Sequence, residues 1–161
     1  MPRDLRIILG GGFILVLMIV AVLAPWASPF DPLEQDLLIA TASPMLEPGH
    51  VLGTDSLGRD VLSRLIHASR IALIVAFVAS LIACLIGTVL GLAAGYLGGW
   101  WDIIVSRLID IWMAFPPVLL SILLVAVLGS GLHSVIVAIA VIDWTRFARV
   151  VRAEAQQQAR L

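Results

Sequence analysis

The chain has 161 residues, of which 61% are hydrophobic and only 13% are charged, and its mean hydropathy of +1.08 excludes an ordinary soluble domain and is typical of a polytopic membrane protein. All ten basic residues are arginine, so a phosphate-binding P-loop, which requires lysine, is excluded. The net charge of −1 argues against a nucleic-acid partner. The single cysteine, Cys84, excludes an internal disulfide. Metal-ligand spacing is absent as well, so no metal or cofactor is expected.

The first predicted membrane span is the run of uncharged residues 7–24, which follows Arg3 and Arg6. As a helix this run is roughly 27 Å long, close to the ~30 Å hydrocarbon core of a bilayer. A cleaved signal peptide is the alternative, but its apolar region usually has only ~7–15 residues. We therefore expect a retained span whose N-terminus lies in the cytoplasm.

Residues 25–70 form the one long polar region. Five prolines in its first half predict an irregular loop, and residues 60–70 have the pattern of a short amphipathic helix lying along the outer membrane surface. His50 and His67 are isolated and favour ordinary polar contacts over metal ligation. Residues 1–70 are thus predicted to be an N-terminal tip, a first span and an extracytoplasmic loop.

A second predicted span begins within the uncharged run 71–101. Small residues recur at every fourth position of this run, a spacing that lets another helix approach closely, although chance recurrence in a helix rich in glycine and alanine is the alternative. We call this set the small-residue strip: Ala79, Ala83, Gly87, Gly91 and Gly95. We expect it to contribute to assembly with a second subunit. Gly95, Gly98 and Gly99 then predict the end of the helix.

The third span is predicted to be interrupted. Arg107 and Asp110 lie near its start, and Pro116 and Pro117 remove two backbone donors from the uncharged run 111–128. In lipid such a break persists only where protein or a water-filled cavity covers it. The span is therefore predicted to line a path or a helix interface, with a plain structural kink as the alternative.

The fourth crossing carries charges. A span that starts near residue 132 must bring Asp143 and Arg146 into the membrane, at a cost on the order of 3 kcal/mol each. Asp143 can pair with Arg146 at the i,i+3 spacing or with Arg107 on the preceding span. A structural ion pair is the favoured interpretation, and a proton or substrate relay is the alternative.

Beyond this crossing the helix is predicted to continue into the cytoplasm, because no glycine or proline follows Gly131. Arg146, Arg149 and Arg152 recur every third residue and give this extension a basic side. With four spans, seven arginines fall on the cytoplasmic side and three on the other, in agreement with the positive-inside rule. The prediction is an all-α membrane bundle of about four transmembrane helices.

A motif in the polar loop adds a family resemblance. Residues 53–64 read GTDSLGRDVLSR, with motif positions Gly53, Thr54, Asp55, Leu57, Gly58, Arg59, Asp60, Ser63 and Arg64. The pattern continues through Gly91, Gly95, Tyr96, Gly98, Gly99, Trp100, Asp102, Arg107, Asp110, Ala114, Pro116, Trp144, Ala148, Arg149, Val151 and Arg152. In this order, the motifs resemble those of permease subunits in dipeptide, oligopeptide and nickel ABC importers.

The resemblance implies half of an importer's translocation path in the inner (plasma) membrane. Such a permease pairs with a second, homologous permease, receives substrate from an extracytoplasmic binding protein and is driven by two separate cytoplasmic ATPase subunits, so the chain itself would not be an enzyme. The family has six spans and a Glu-Ala-Ala…Gly coupling loop after the fourth, which Ala153-Glu154-Ala155 does not match. Residues 71–161 are thus expected to be the part of the permease domain before that loop. Arg149, Arg152 and Glu154 would approach the ATPases.

Three other classes stay as alternatives. A voltage-sensor-like domain also has four spans with regularly spaced arginines, but only Arg146 and Arg149 can lie within the membrane here. An intramembrane protease would have to use Asp110 and Asp143, each of which has an arginine nearby. A non-transporting assembly or scaffold protein is the third. The sequence does not indicate the substrate.

Overall fold

The structure is a computed structural model that describes residues 3–159. Within that range it is helical, with one isolated β-bridge between Thr54 and Asp60 and no strand. The helices are α1 (Arg3–Ala27), α2 (Val61–Leu92), α3 (Gly99–Ala114), α4 (Pro117–Leu128) and α5 (Leu132–Gln158). Arg160, one of the seven arginines assigned to the cytoplasmic side, lies outside the described residues.

Two helices are long and apolar enough to cross a membrane, Leu5–Ala27 and Val61–Leu97. Helices α3 and α4 together meet the same criterion but are bent by 91° at their junction, so they form a third, broken candidate span. Among the described residues α5 is not a candidate by this test, since Asp143 lies near its middle and three arginines follow within nine residues. The predicted all-α membrane bundle is confirmed, and the count of four crossings is approximate.

The chain divides into two compact units, Met1–Ile74 and Val75–Leu161. The first unit contains α1, the polar loop and the start of α2. The prediction of a separate surface helix over residues 60–70 is wrong: residues 61–70 form the first turns of α2, which continues without a break, and Asp60 directly precedes it. The physical reason is that no glycine or proline occurs between residues 61 and 86 to end the helix.

The second unit is organised by the small-residue strip. All of its residues are buried, although most large apolar side chains of α2 are exposed. A Cβ atom added to Gly87 would lie 2.6 Å from the Trp144 carbonyl oxygen, and one added to Gly91 would lie 2.7 Å from that of Ala148. Glycine at these positions therefore permits direct backbone contact between α2 and α5. The predicted close helix approach is confirmed, but for these glycines the partner is α5 of the same chain and not a second subunit.

A sharp corner follows α2. Residues Ala93–Leu97 form a π-helical turn, and Gly98 and Gly99 then take positive φ angles of 62° and 51° before α3 begins. Left-handed backbone of this kind is accessible to glycine at little cost, so the predicted end of the helix is confirmed at Gly98 and Gly99. Gly95 lies within the π-helical turn and does not end the helix. The corner returns the chain toward α5, and Gly95 contacts Ala155 there.

The core of this unit is thin and built from small and aromatic residues. Ala83, Ala94, Val105, Ile109, Trp144 and Ala148 form one buried cluster, and the Trp112 ring meets the Trp144 ring edge-on with centroids 6.2 Å apart. Most other large apolar side chains are exposed, as in Phe77 (65%) and Val89 (65%). This distribution is typical of helices whose outer faces contact lipid.

Replacing Gly91 with leucine is expected to separate α2 from α5, because its Cβ would meet the backbone of Ala148 and not a movable side chain. Overpacking of this kind costs about 1–3 kcal/mol. The thermal unfolding midpoint of the detergent-solubilised protein should therefore fall. The matched control is Val89→Leu at an exposed position of the same helix. Equal midpoints for the two variants would contradict the packing role of the strip.

Candidate functional site

The 53–64 motif forms a tight structure in the loop that precedes α2. Gly58 has a positive φ of 73°, and a Cβ at this position would collide with the Asp36 carbonyl group. Gly53 likewise has a φ of 74° and lies against the Ala42 carbonyl group. The two motif glycines therefore let the earlier part of the loop, residues 36–42, lie directly on the motif.

Asp60 is the buried centre of this structure, with only 1% of its surface exposed. Its carboxylate caps the N-terminus of α2 by accepting a hydrogen bond from the Ser63 backbone N–H at 2.6 Å. The other carboxylate oxygen accepts a hydrogen bond from His50 Nδ1 at 2.9 Å. Burial alone would raise the pKa of Asp60, but the hydrogen bonds from Ser63 and His50 outweigh it and lower the pKa below its usual value.

Two further contacts close a ring around Asp60. The Phe30 backbone N–H donates to Ser63 Oγ at 3.1 Å, and the Phe30 ring stacks on the His50 ring with centroids 4.3 Å apart. Phe30, His50, Asp60 and Ser63 thus connect the end of α1, the middle of the loop and the start of α2. The predicted ordinary polar contact of His50 is confirmed.

Asp55 organises the other half of the motif. Its carboxylate accepts hydrogen bonds from the backbone N–H groups of Leu57 and Arg59, at 2.8 and 3.1 Å, and pairs with the side chains of Arg59 and Arg64. Burial opposes ionisation of Asp55, but these hydrogen bonds, above all that of the Arg59 side chain, hold its pKa well below the usual range. Thr54 is also buried, and its hydroxyl donates to the Ile39 carbonyl group.

The polar groups of the motif are thus bonded to one another and to neighbouring backbone. In the part of the chain that the structure describes, no three His, Cys, Asp or Glu side chains are grouped so as to hold a metal ion. The motif therefore holds the loop in one conformation and caps α2.

The loop is expected to lose stability in acid. Because the folded-state pKa values of Asp55 and Asp60 are lowered, their contribution is complete above the ordinary carboxylate pKa of about 4 and is lost as the pH falls below it. Hydrogen exchange of loop amides, corrected for the intrinsic rate, should accelerate as the pH is lowered from about 5 to about 2. Asp55→Asn should reduce this pH dependence, and the exposed Glu34→Gln should not. The same profile for both variants would contradict the assignment.

The junction of α3 and α4 is the second feature. Helix α3 ends at Ala114, Phe115 and Pro116 are extended, and α4 starts at Pro117. The predicted disruption at the proline pair is confirmed and is a full interruption. The Trp112 indole N–H, just before the break, donates to the Val141 carbonyl oxygen of α5 at 2.6 Å. Trp112 thus attaches the end of α3 to α5 just before the break, whose residues 114–117 are themselves exposed. In lipid such a break has to be covered by protein or has to line a water-filled cavity.

The charges predicted to lie within the membrane are on α3 and α5, and Arg146 is the one beside this break. Asp143 pairs with Arg146 at 3.3 Å, so of the two partners left open by the sequence Arg146 is the one in contact. The Arg146 side chain is 72% exposed, which makes the pair an accessible one on a single helix. Arg107 and Asp110 lie on exposed positions of α3. Arg146 and the buried Thr145 line a small cavity between α5 and Phe115.

The end of α5 differs from the expected free basic helix. Arg152 forms a bidentate contact with Asp102 in the first turn of α3, and Gln156 Nε2 donates to the same carboxylate at 3.0 Å. The guanidinium of Arg149 contacts the sulfur of Met113. Arg146, Arg149 and Arg152 thus have different partners and do not form one continuous basic face. Glu154 is exposed and accepts a hydrogen bond from Gln158.

The contact between Asp102 and Arg152 is not indicated by the sequence, because fifty residues separate them. The available signal was weak. Asp102 is the one acid in the first turn after the glycine corner, and Arg152 and Gln156 are spaced i,i+4 on α5. No local pattern pairs these two features.

Comparison with known proteins places these features in a family. Residues 87–160, which include the corner, the broken span and α5, match the family model described as a binding-protein-dependent transport system inner membrane component. Residues 7–48 match a second model, the N-terminal TM domain of oligopeptide transport permease C. The class of protein is therefore a permease component of an ABC importer.

Similar proteins agree with this class. The chain is 41% identical over 145 residues to the dipeptide transport system permease protein DppC of Haemophilus influenzae, covering 88% of this chain and 49% of the relative. It is 44% identical over 143 residues to the glutathione transport system permease protein GsiD of Escherichia coli, covering 87% and 46%. GsiD of Salmonella paratyphi A is 46% identical over 148 residues, covering 90% and 48%.

The chain belongs to the family of inner membrane permease components of binding-protein-dependent transport systems. It spans about half the length of the curated relatives it matches.

Proposed function

We propose that the chain forms part of one half of the translocation path of an ATP-driven importer in the inner membrane. The observation that carries this proposal is the family match over residues 87–160, since it covers the corner, the interrupted span and α5 together. An assembly or scaffold protein, or a voltage-sensor-like domain, would not require an interrupted span. The broken span is therefore the part of the chain proposed to line the path.

The proposed partners follow from the family. They are a second, homologous permease, two ATPase subunits on the cytoplasmic side and an extracytoplasmic substrate-binding protein. The chain contributes no catalytic residue of its own to this scheme, because ATP hydrolysis takes place on the separate subunits. The small-residue strip is used within the chain at Gly87, Gly91 and Gly95, so the second permease has to contact other surfaces.

The proposed substrate is a peptide or a related small solute, with a nickel complex as a further member of the class. Support comes from the names of the similar proteins, which transport a dipeptide and glutathione. Arg146 lies at the break with most of its side chain exposed and is the proposed contact for a substrate carboxylate.

The proposed orientation has the N-terminus and the end of α5 in the cytoplasm and the 53–64 motif outside. The distribution of arginines supports it, because basic residues favour the cytoplasmic face. Arg149, Arg152 and Glu154 then lie at the neck between the membrane and the ATPases. The motif would hold the outer loop in shape, and Asp143 and Arg146 would lie in the inner part of the α5 crossing.

Orientation can be tested with an impermeant thiol reagent. In a Cys84→Ser background, a cysteine at Leu38, which is 95% exposed, should react in intact cells. A cysteine at the exposed Gln157 should react only after the membrane is permeabilised. Labelling of position 157 but not of position 38 in intact cells would reverse the topology and contradict the importer assignment.

Transport itself is tested with the full-length gene product, reconstituted with its ATPase, permease and binding-protein partners. Labelled dipeptide or labelled glutathione should accumulate only when ATP and the binding protein are both present. Replacing Pro116 and Pro117 together by alanine should close the break and lower uptake about tenfold, which corresponds to ~1.4 kcal/mol in activation free energy.

The matched control for the proline variant is Ser121→Ala on α4, whose hydroxyl bonds only within its own helix. Co-purification of the ATPase subunits should be the same for all variants. A reconstituted complex that assembles but accumulates neither solute under any condition would favour the scaffold alternative.

A further inference from the structure

The contact between the end of α5 and the end of α2 is made by backbone and Cβ atoms. Gly91 lies against the backbone of Ala148 and the Cβ of Val151, and Gly95 lies against Ala155. Among the described residues no hydrogen bond or ion pair joins the two helices there. A directional contact that defines where α5 stands along its axis comes from α3.

Asp102 supplies that contact. Arg152 and Gln156 lie one turn apart on the same side of α5, and both donate to the Asp102 carboxylate. A bidentate arginine–carboxylate contact is specific in geometry as well as in energy, and here both side chains are about three-quarters buried, at 28% and 26% exposure. Sliding of α5 by even one residue would break it.

Because Asp102 belongs to α3, its contact with Arg152 joins the start of α3 to the C-terminal end of α5. Asp102 lies in the first turn of α3, shortly after Gly98 and Gly99. These two glycines have no side chains that could pack and fix the direction of α3. Near the other end of α3, Trp112 donates to the Val141 carbonyl oxygen of α5. Helix α3 is therefore held to α5 near both of its ends, and its far end leads into the break at Phe115 and Pro116.

We propose that Asp102 is a positioning residue that fixes the register of α5 on α3, so that movement of the C-terminal end of α5 is passed to the broken span and to the translocation path. This inference rests on the proposed importer function and adds a residue through which ATP hydrolysis is coupled to transport. Loss of the Asp102 carboxylate leaves the close packing on glycine and the Trp112 contact intact, but it frees the start of α3 from the C-terminal end of α5.

The test uses the full-length permease in its reconstituted complex and measures uptake of labelled dipeptide or glutathione per ATP hydrolysed. Asp102→Asn should lower this ratio about tenfold, since hydrogen bonds to charged groups are individually strong. Gln156→Ala should lower it less, and Gln157→Ala, an exposed neighbour on the same helix, should leave it unchanged. The exchange of both charges, Asp102→Arg with Arg152→Asp, should restore most of the ratio.

Register is measured separately with spin labels at Trp100 and Val150, both exposed, in a Cys84→Ser background. Asp102→Asn should broaden the distance distribution between the labels, and the charge exchange should narrow it again. An unchanged ratio in Asp102→Asn overturns the inference, whether the distances broaden or not. If the wild-type complex itself neither transports nor hydrolyses ATP, the importer function fails and the inference fails with it.

Discussion

Direct backbone contact between α2 and α5 is the interaction on which the unit Val75–Leu161 depends. Lipid offers no hydrophobic driving force between helices, so their association requires close packing, which Gly87 and Gly91 permit. The buried cluster around Trp144 and Ala148 forms where these helices meet. The glycine corner, Trp112 beside the break and Asp102 all contact α5.

The polar loop before α2 is stabilised by the opposite physical means. It has few buried apolar side chains, and its structure depends on two carboxylates that accept several hydrogen bonds each, Asp55 and Asp60. Ionised carboxylates accept strong hydrogen bonds and stabilise helix N-termini. The charged forms of Asp55 and Asp60 therefore stabilise the loop more than the neutral forms would. The 53–64 motif, which carries the family resemblance, thus stabilises the loop through hydrogen bonds among its own residues and to neighbouring backbone.

The charged side chains of α5 each contact a different partner. Asp143 pairs on its own helix with Arg146, and Arg152 reaches α3, so two of the helix's three inner arginines have a carboxylate partner. Arg149 rests on the Met113 sulfur. The three arginines are evenly spaced in the sequence but have different positions in the structure. Arg146 lies at the break, Arg149 lies at the surface, and Arg152 holds α5 to α3.

The sequence by itself determined the helical membrane class, the close-packing face of α2, the corner at Gly98 and the break at Pro116, because each depends on local composition, periodicity or backbone chemistry. It could not determine which helix meets the small-residue strip, or that Arg152 contacts Asp102 fifty residues away. The sequence pattern also predicted a separate helix over residues 60–70, although α2 is one continuous helix from Val61 to Leu92. Those outcomes were decided by tertiary structure, since the partner of a packing face or of a charge is set by how distant segments meet and leaves no pattern within either segment.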